Sequence, residues 1–193
     1  MLREPYERAD KCPMQRDGPR MRLSATNAGP NIWQEVRAMD KRIAIGCDEA
    51  AFAMEEAIKG LFEELGYEVI DKGVYNEMPV LYPDVAVAVC CEITNGNAMR
   101  GILMCGTGIG MAMMANKVPG IRAAVCHDLF STERSHKSND VQVICMGARV
   151  IGIELAKLLV INWLNFDFAG GGSSAKLERI KAYELEFRNR EEA

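Results

Sequence analysis

The sequence is poor in the residues that several common chemistries need. It has two histidines, His127 and His136, with no His-Glu-x-x-His run and no Cys/His cluster, so no metal site is expected. Its seven cysteines are odd in number and scattered, and no two are spaced Cys-x-x-Cys. That excludes a regular disulfide framework and fits a reducing cytoplasm. No apolar run approaches the roughly 18 residues of a membrane span. The net charge is −4 and the pI about 5.4, which implies no general affinity for nucleic acid. The dipeptide Gly-Lys never occurs, so there is no nucleotide P-loop. No cofactor is expected.

Against these absences stands a substantial core. Hydrophobic residues make up 49% of the 193, which suits one domain and an appendage. Residues 1–40 mix charge, proline and glycine with few periodic apolar positions, and are expected to form a disordered or loosely docked extension. The domain is then 41–193. Arg42 to Cys47 reads as a buried strand. Asp48-Glu49 opens a helix in which Met54, Ile58, Leu61 and Leu65 recur at helical spacing, and Gly66 stops it. Tyr67 to Asp71 is a second strand, and Tyr82-Pro83-Asp84 starts a second, strongly apolar helix. Ile121 to Cys126 and Val141 to Met146 are further strands, with a short polar helix over Leu129 to Lys137 between them. A helix over about 153–165 should turn Leu155, Leu158, Leu159 and Trp163 inward. Gly170 to Ser174 reads as a flexible link to a charged helix over about 175–190. Alternation of this kind predicts an α/β fold, a three-layer αβα sandwich around a five-stranded parallel sheet.

The organising stretch is Gly101-Ile-Leu-Met-Cys105-Gly106-Thr107-Gly108-Ile109-Gly110. It reads as a buried strand, a glycine loop and the start of a helix. The dinucleotide fingerprint Gly-x-Gly-x-x-Gly needs glycine at 111, where the chain has Met111. A cysteine at the end of a parallel strand, beside a helix N-terminus, is a candidate base. The loop amides from Gly106 to Gly110 are a candidate anion hole. A tight turn with a merely buried cysteine is the plainer alternative.

Taken with Gly46-Cys47-Asp48, Tyr82-Pro83-Asp84, Ala115-Asn116-Lys117, Gly120-Ile121-Arg122-Ala123, Ser138-Asn139-Asp140 and Gly147 to Gly152, this stretch resembles the ribose-5-phosphate isomerase B family, which includes galactose-6-phosphate isomerase subunits. The likeness runs in order over roughly 41–181. It implies aldose–ketose interconversion of a sugar phosphate without metal, in a homodimer or homotetramer whose sites lie between subunits. It implies that Cys105 is the base, that Thr107 supports it, and that the Gly106, Gly108, Ile109 and Gly110 loop holds the enediolate. Asp48 would hold a hydroxyl or relay a proton. Tyr82 would line the site, and Asn116 and Asn139 would contact substrate, Asn139 near the carbonyl.

The departures carry information too. Glu49 stands where the family has histidine, which marks a changed substrate. Ser138 stands where the family has the histidine that opens a furanose ring. Near the C-terminus, arginines that help bind phosphate are matched by Gly172 and Lys176, and Lys176 offers a point charge without the guanidinium fork. Arg149 is kept, as ligand contact or as a structural ion pair. His127, at the ligand edge of the sheet, is a candidate substrate contact, and His136 is expected on the surface. An isomerase is the leading expectation. A galactose-6-phosphate isomerase subunit and a non-catalytic sugar-phosphate binder are the alternatives.

Overall fold

The computed structural model describes residues 41–76 and 78–191. The expected extension over 1–40 lies outside them. Five strands form one all-parallel sheet: β1 (Arg42–Cys47), β2 (Glu68–Asp71), β3 (Arg100–Cys105), β4 (Ala123–Val125) and β5 (Val143–Gly147), in the order β2-β1-β3-β5-β4. Six helices connect and flank them: α1 (Phe52–Leu65), α2 (Tyr82–Thr94), α3 (Ile109–Ala115), α4 (Leu129–Asn139), α5 (Ile153–Leu164) and α6 (Ser174–Glu191).

Alternation along the central strands decides the two cores. Ile43, Ile45 and Cys47 of β1 face one side, where they meet Met54, Ile58 and Phe62 of α1 and Leu159, Val160 and Trp163 of α5. Ala44 faces the other side, with Val85, Val89 and Cys90 of α2 and Met111 and Ala115 of α3. Cys90 is therefore a packing residue. Truncating Phe62 or Trp163 to alanine should cost about 3–5 kcal/mol, far more than the surface ion pairs contribute.

Several local expectations change. Asp48-Glu49 does not open α1 directly. Asp48 caps a 3-10 turn, Glu49–Ala51, by accepting the Ala50 amide at 3.0 Å, and the α-helix starts at Phe52. Leu65 is exposed at the end of α1. The strand expected over 121–126 shortens to Ala123–Val125, because Ile121 closes a turn onto Val118 and the Arg122 amide is taken by the Gln142 side chain. In α5 the inward residues are Ala156, Leu159, Val160 and Trp163, whereas Leu155 and Leu158 are exposed. The glycine link is a 3-10 turn over Gly171–Ser173 that leads straight into α6.

His136 is buried, not on the surface. Its Nδ1 lies 2.9 Å from the Val141 carbonyl and its Nε2 2.8 Å from the Arg100 guanidinium. A guanidinium only donates, so Nε2 accepts and Nδ1–H donates to Val141. Arg100 also donates to the carbonyls of Trp163 and Phe166, at 2.9 and 2.8 Å. This group ties the start of β3 to the segment before α6. Burial first, and Arg100 second among the lowering causes, hold the His136 pKa below its usual range. Unfolded histidine takes a proton below about pH 6.5, while the folded ring resists it. The His136 contribution is thus full above that pH and is lost as pH falls through the depressed folded value. The stability gap between wild type and His136→Asn, measured by urea unfolding, should be largest at pH 7.5 and narrow on going to pH 5.

Candidate active site

Parallel sheets bind ligands at the C-terminal ends of their strands, where the connections diverge to opposite sides. Here that point lies between β1 and β3. From β1 the chain returns to form β2 on one flank, and from β3 it moves to β5 and β4 on the other. The residues at the two strand exits are Asp48 and Cys105.

Cys105 ends β3 and is 6% exposed. Its Sγ accepts the Gly108 amide at 3.0 Å. Gly108 makes that bond from the left-handed region, φ 76°, with a Cβ position 3.0 Å from the backbone of Met146, so only glycine fits. Thr107 Oγ1 accepts the Ile109 amide at 3.3 Å and tightens the same turn. No hydrogen bond among the described residues engages the Gly110 amide. A Cβ on Gly110 would lie 2.7 Å from the Tyr82 ring, so Tyr82, half-exposed at the start of α2, covers the loop. The loop is also sewn to the exit of β5. The Ala148 and Arg149 amides donate to the carbonyls of Cys105 and Gly106, at 2.9 and 3.0 Å.

Asp48 is fixed by its amide, which donates to the Met104 carbonyl at 3.1 Å. Burial, then the neighbouring Glu49, raise its pKa, and the Ala50 amide and Arg149 oppose the rise. An acid with a raised pKa beside a candidate base can carry a proton between two oxygens. Glu49 Oε2 accepts the Val80 amide at 3.3 Å and so holds the loop that leads to Tyr82. Arg149 lies over Gly106, 3.5 Å from where a Cβ would stand.

His127 sits at the same sheet edge, after β4, and its Nε2 accepts the Gly147 amide at 2.9 Å. That bond puts the proton on Nδ1 and occupies the ring's lone pair. Burial lowers the His127 pKa, with Asp128 opposing.

Three candidates are not brought to this site within one chain. Asn116 donates to the carbonyls of Ala112 and Ala123 and accepts the Ala123 amide, each at 2.9 Å, so its side chain clamps α3 to β4. Asn139 ends α4, just before β5 begins, at the opposite edge of the sheet from Cys105. It lines a cavity of about 930 Å³ between β4 and α6, with Arg134, Tyr183 and Phe187. Lys176 is exposed in the first turn of α6, after a segment anchored at that same edge by Arg100 and by the Ala169 amide on the Lys137 carbonyl. Sequence reasoning missed Gly147 as a packing determinant. A Cβ there would meet the Thr107 backbone at 2.7 Å, a contact 40 residues away in the chain that no local signal carries.

A family model described as ribose/galactose isomerase matches residues 43–180. The chain belongs to the ribose/galactose isomerase family. It is 51% identical over 144 residues to D-erythrulose-4-phosphate isomerase of Pectobacterium atrosepticum, covering 74% of this chain and 94% of that one. It is 42% identical over 144 residues to ribose-5-phosphate isomerase B of Escherichia coli, covering 75% and 97%. The structure of ribose-5-phosphate isomerase B from Clostridium thermocellum matches with a TM-score of 0.74 at 38% identity, over 76% of this chain and 99% of that one. The expected family and fold are both borne out, and the chain is an isomerase of the sugar-phosphate, aldose–ketose kind.

The electrostatics of Asp48 give a test with two opposite signs. Removing the cation in Arg149→Ala should raise the Asp48 pKa further, and removing the anion in Glu49→Gln should lower it, followed by carbon-detected NMR titration of the carboxyl. Movement of both in the same direction would show that the two side chains do not act on Asp48 as described.

Proposed function

We propose that this chain interconverts an aldose and a ketose phosphate by proton transfer through Cys105, and that its substrate is a four-carbon sugar 4-phosphate. The observation that carries the mechanism is the Gly108 amide on the Cys105 sulfur at the divergence of β1 and β3. The thiolate takes a proton from the carbon beside the carbonyl, and the electron pair moves onto the oxygen to give an enediolate. Asp48 moves a proton between the two oxygens, and Cys105, after its proton exchanges with solvent, protonates the neighbouring carbon. Gly110 offers an amide to the developing negative charge, of the kind that lowers such barriers most.

The substrate follows from the histidines. A pentose 5-phosphate closes into a furanose that must be opened by an acid–base group. Ser138 stands where the resembled family has that histidine. His136 is buried at the far edge of the sheet, held by Val141 and Arg100. His127 can accept a proton only by giving up the Gly147 amide. A tetrose 4-phosphate carries phosphate on the oxygen that would close the same ring, and so needs no opening. The relative named D-erythrulose-4-phosphate isomerase agrees with this reading. Ribose 5-phosphate is the second reading, favoured by the relatives named for it.

A second copy of the chain completes the site. Asn139 and Lys176 face away from their own Cys105, and contact with substrate requires that they reach the site of a partner.

Two measurements check this. Cys105→Ala should lose roughly 10²–10⁴-fold in kcat with its fold intact, and D-erythrulose 4-phosphate should give a higher kcat/KM than ribose 5-phosphate in wild type. Binding of both sugars without turnover would instead make the protein a sensor. For the shared site, Cys105→Ala and Asn139→Ala proteins should each be weak alone, and unfolding and refolding them together should regain activity, since a mixed dimer holds one intact site. No recovery from the mixture, or an active monomer in light scattering, would rule out sharing.

A further inference from the structure

Directly beneath the Asp48 turn lies a buried acid that the proposed chemistry does not use. Glu55, in the first turn of α1, is 0% exposed. Its Oε2 accepts a hydrogen bond from the Cys47 thiol at 2.9 Å, and its Oε1 is buried with no partner. The carboxyl lies flat on the chain leaving β2. A Cβ on Gly73 would come within 2.3–2.6 Å of its atoms, so a side chain there would displace the carboxyl. Glu55 therefore touches three segments at once: the last residue of β1, the start of α1 and the exit of β2. The first two bracket the turn that carries Asp48 and Glu49. The third begins the loop that Glu49 holds through Val80 and that ends at Tyr82.

We propose that Glu55 is a positioning residue for isomerisation, clamping the exit of β1 from which Asp48 projects, and that the clamp holds in the protonated state of Glu55 and loosens when Glu55 ionises. The proposal rests on the isomerase reading only for its kinetic consequence. The geometry supplies the reason. As a neutral acid, the orphan oxygen is a hydroxyl or carbonyl left without a partner, a modest cost. As an anion, it is a buried charged oxygen with no donor among the described residues, a state that buried sites avoid by moving or by staying neutral. The charged groups facing it do not supply a free cation. Cys47 on β1 has its thiol pushed upward by burial and by Glu55, so it stays a neutral donor. On α1 itself, Lys59 is engaged by Glu56 and by Asp71 of β2, the latter at 2.7 Å. Burial, the largest cause, raises the Glu55 pKa to about 7; Asp71 and Glu56 push the same way, while the Cys47 hydrogen bond and Lys59 oppose the rise. An ordinary glutamate titrates near 4.5. The folded protein thus holds a proton that the unfolded chain has released. The clamp is at full strength below about pH 4.5, weakens as pH rises from there, and is lost as pH passes through about 7.

The test uses the full chain in three forms: wild type, Glu55→Gln and Glu55→Ala. Glutamine keeps a carbonyl for the Cys47 thiol and stays neutral at every pH. Amide exchange of residues 48–51, corrected for intrinsic rates, and kcat and KM for the better sugar phosphate are measured from about pH 4.5 to 8.5. Wild type should lose protection of the Asp48 and Ala50 amides as pH rises from about 4.5 to 7 and level off above it, with a parallel fall in kcat and little change in KM. Glu55→Gln should keep that protection and lack that fall. Glu55→Ala should show tenfold or greater loss of protection at every pH. If Glu55→Gln retains the wild-type pH dependence of exchange, or if Glu55→Ala is protected like wild type, the proposal is overturned. Should Glu55→Ala fail to fold, the glutamine comparison decides alone. If wild type turns over no sugar phosphate while exchange behaves as expected, the isomerase reading has failed and the clamp stands.

Discussion

The hydrogen bond from the Gly108 amide to the Cys105 sulfur is the constraint on which the rest of the site depends. It requires a residue in the left-handed region at the head of α3, and the backbone of Met146 leaves no room there for a side chain. It requires that β3 end at Cys105, so that the sulfur emerges at the ligand edge of the sheet. It also requires that the exit of β5 close around the loop, through the Ala148 and Arg149 amides and the bare Cα of Gly147. Each is a packing condition, and together they place a thiol, an open amide and an acid of raised pKa at the ligand edge of the sheet, where β1 and β3 end. Two cysteines end neighbouring strands, yet their surroundings set them apart. Cys105 accepts an N–H, whereas Cys47 donates to a carboxyl and is held neutral.

Much of this was legible in the sequence because it is local. The continuous apolar runs of β1 and β3 announce strands covered on both faces. The glycines at 106, 108 and 110 mark the loop, and the Gly66 stop and Pro83 start bound their helices as expected. Family membership follows from ordered motifs over most of the described chain.

What was not legible depends on residues far apart. His136 looks like a polar helix residue until Arg100 and Trp163 are folded against it. Leu155 and Leu158 belong to a helix so apolar that periodicity alone cannot choose its inner face, and the smaller Ala156 faces the core instead. Glu55 reads as an ordinary acid in a first helical turn, where the dipole favours charge. Only the approach of Cys47 and Gly73 turns it into a buried acid. Asn116 matches a family motif, yet its amide is fully engaged with backbone, a role its neighbours in sequence do not reveal.

The central claim is that Cys105 moves the proton. Isomerisation of D-erythrulose 4-phosphate in deuterium oxide, with the product read by mass spectrometry and proton NMR, tests it most directly. The account predicts deuterium at C2 of the aldose formed by wild type, and loss of both turnover and label in Cys105→Ala. Turnover at the wild-type rate by Cys105→Ala would contradict it.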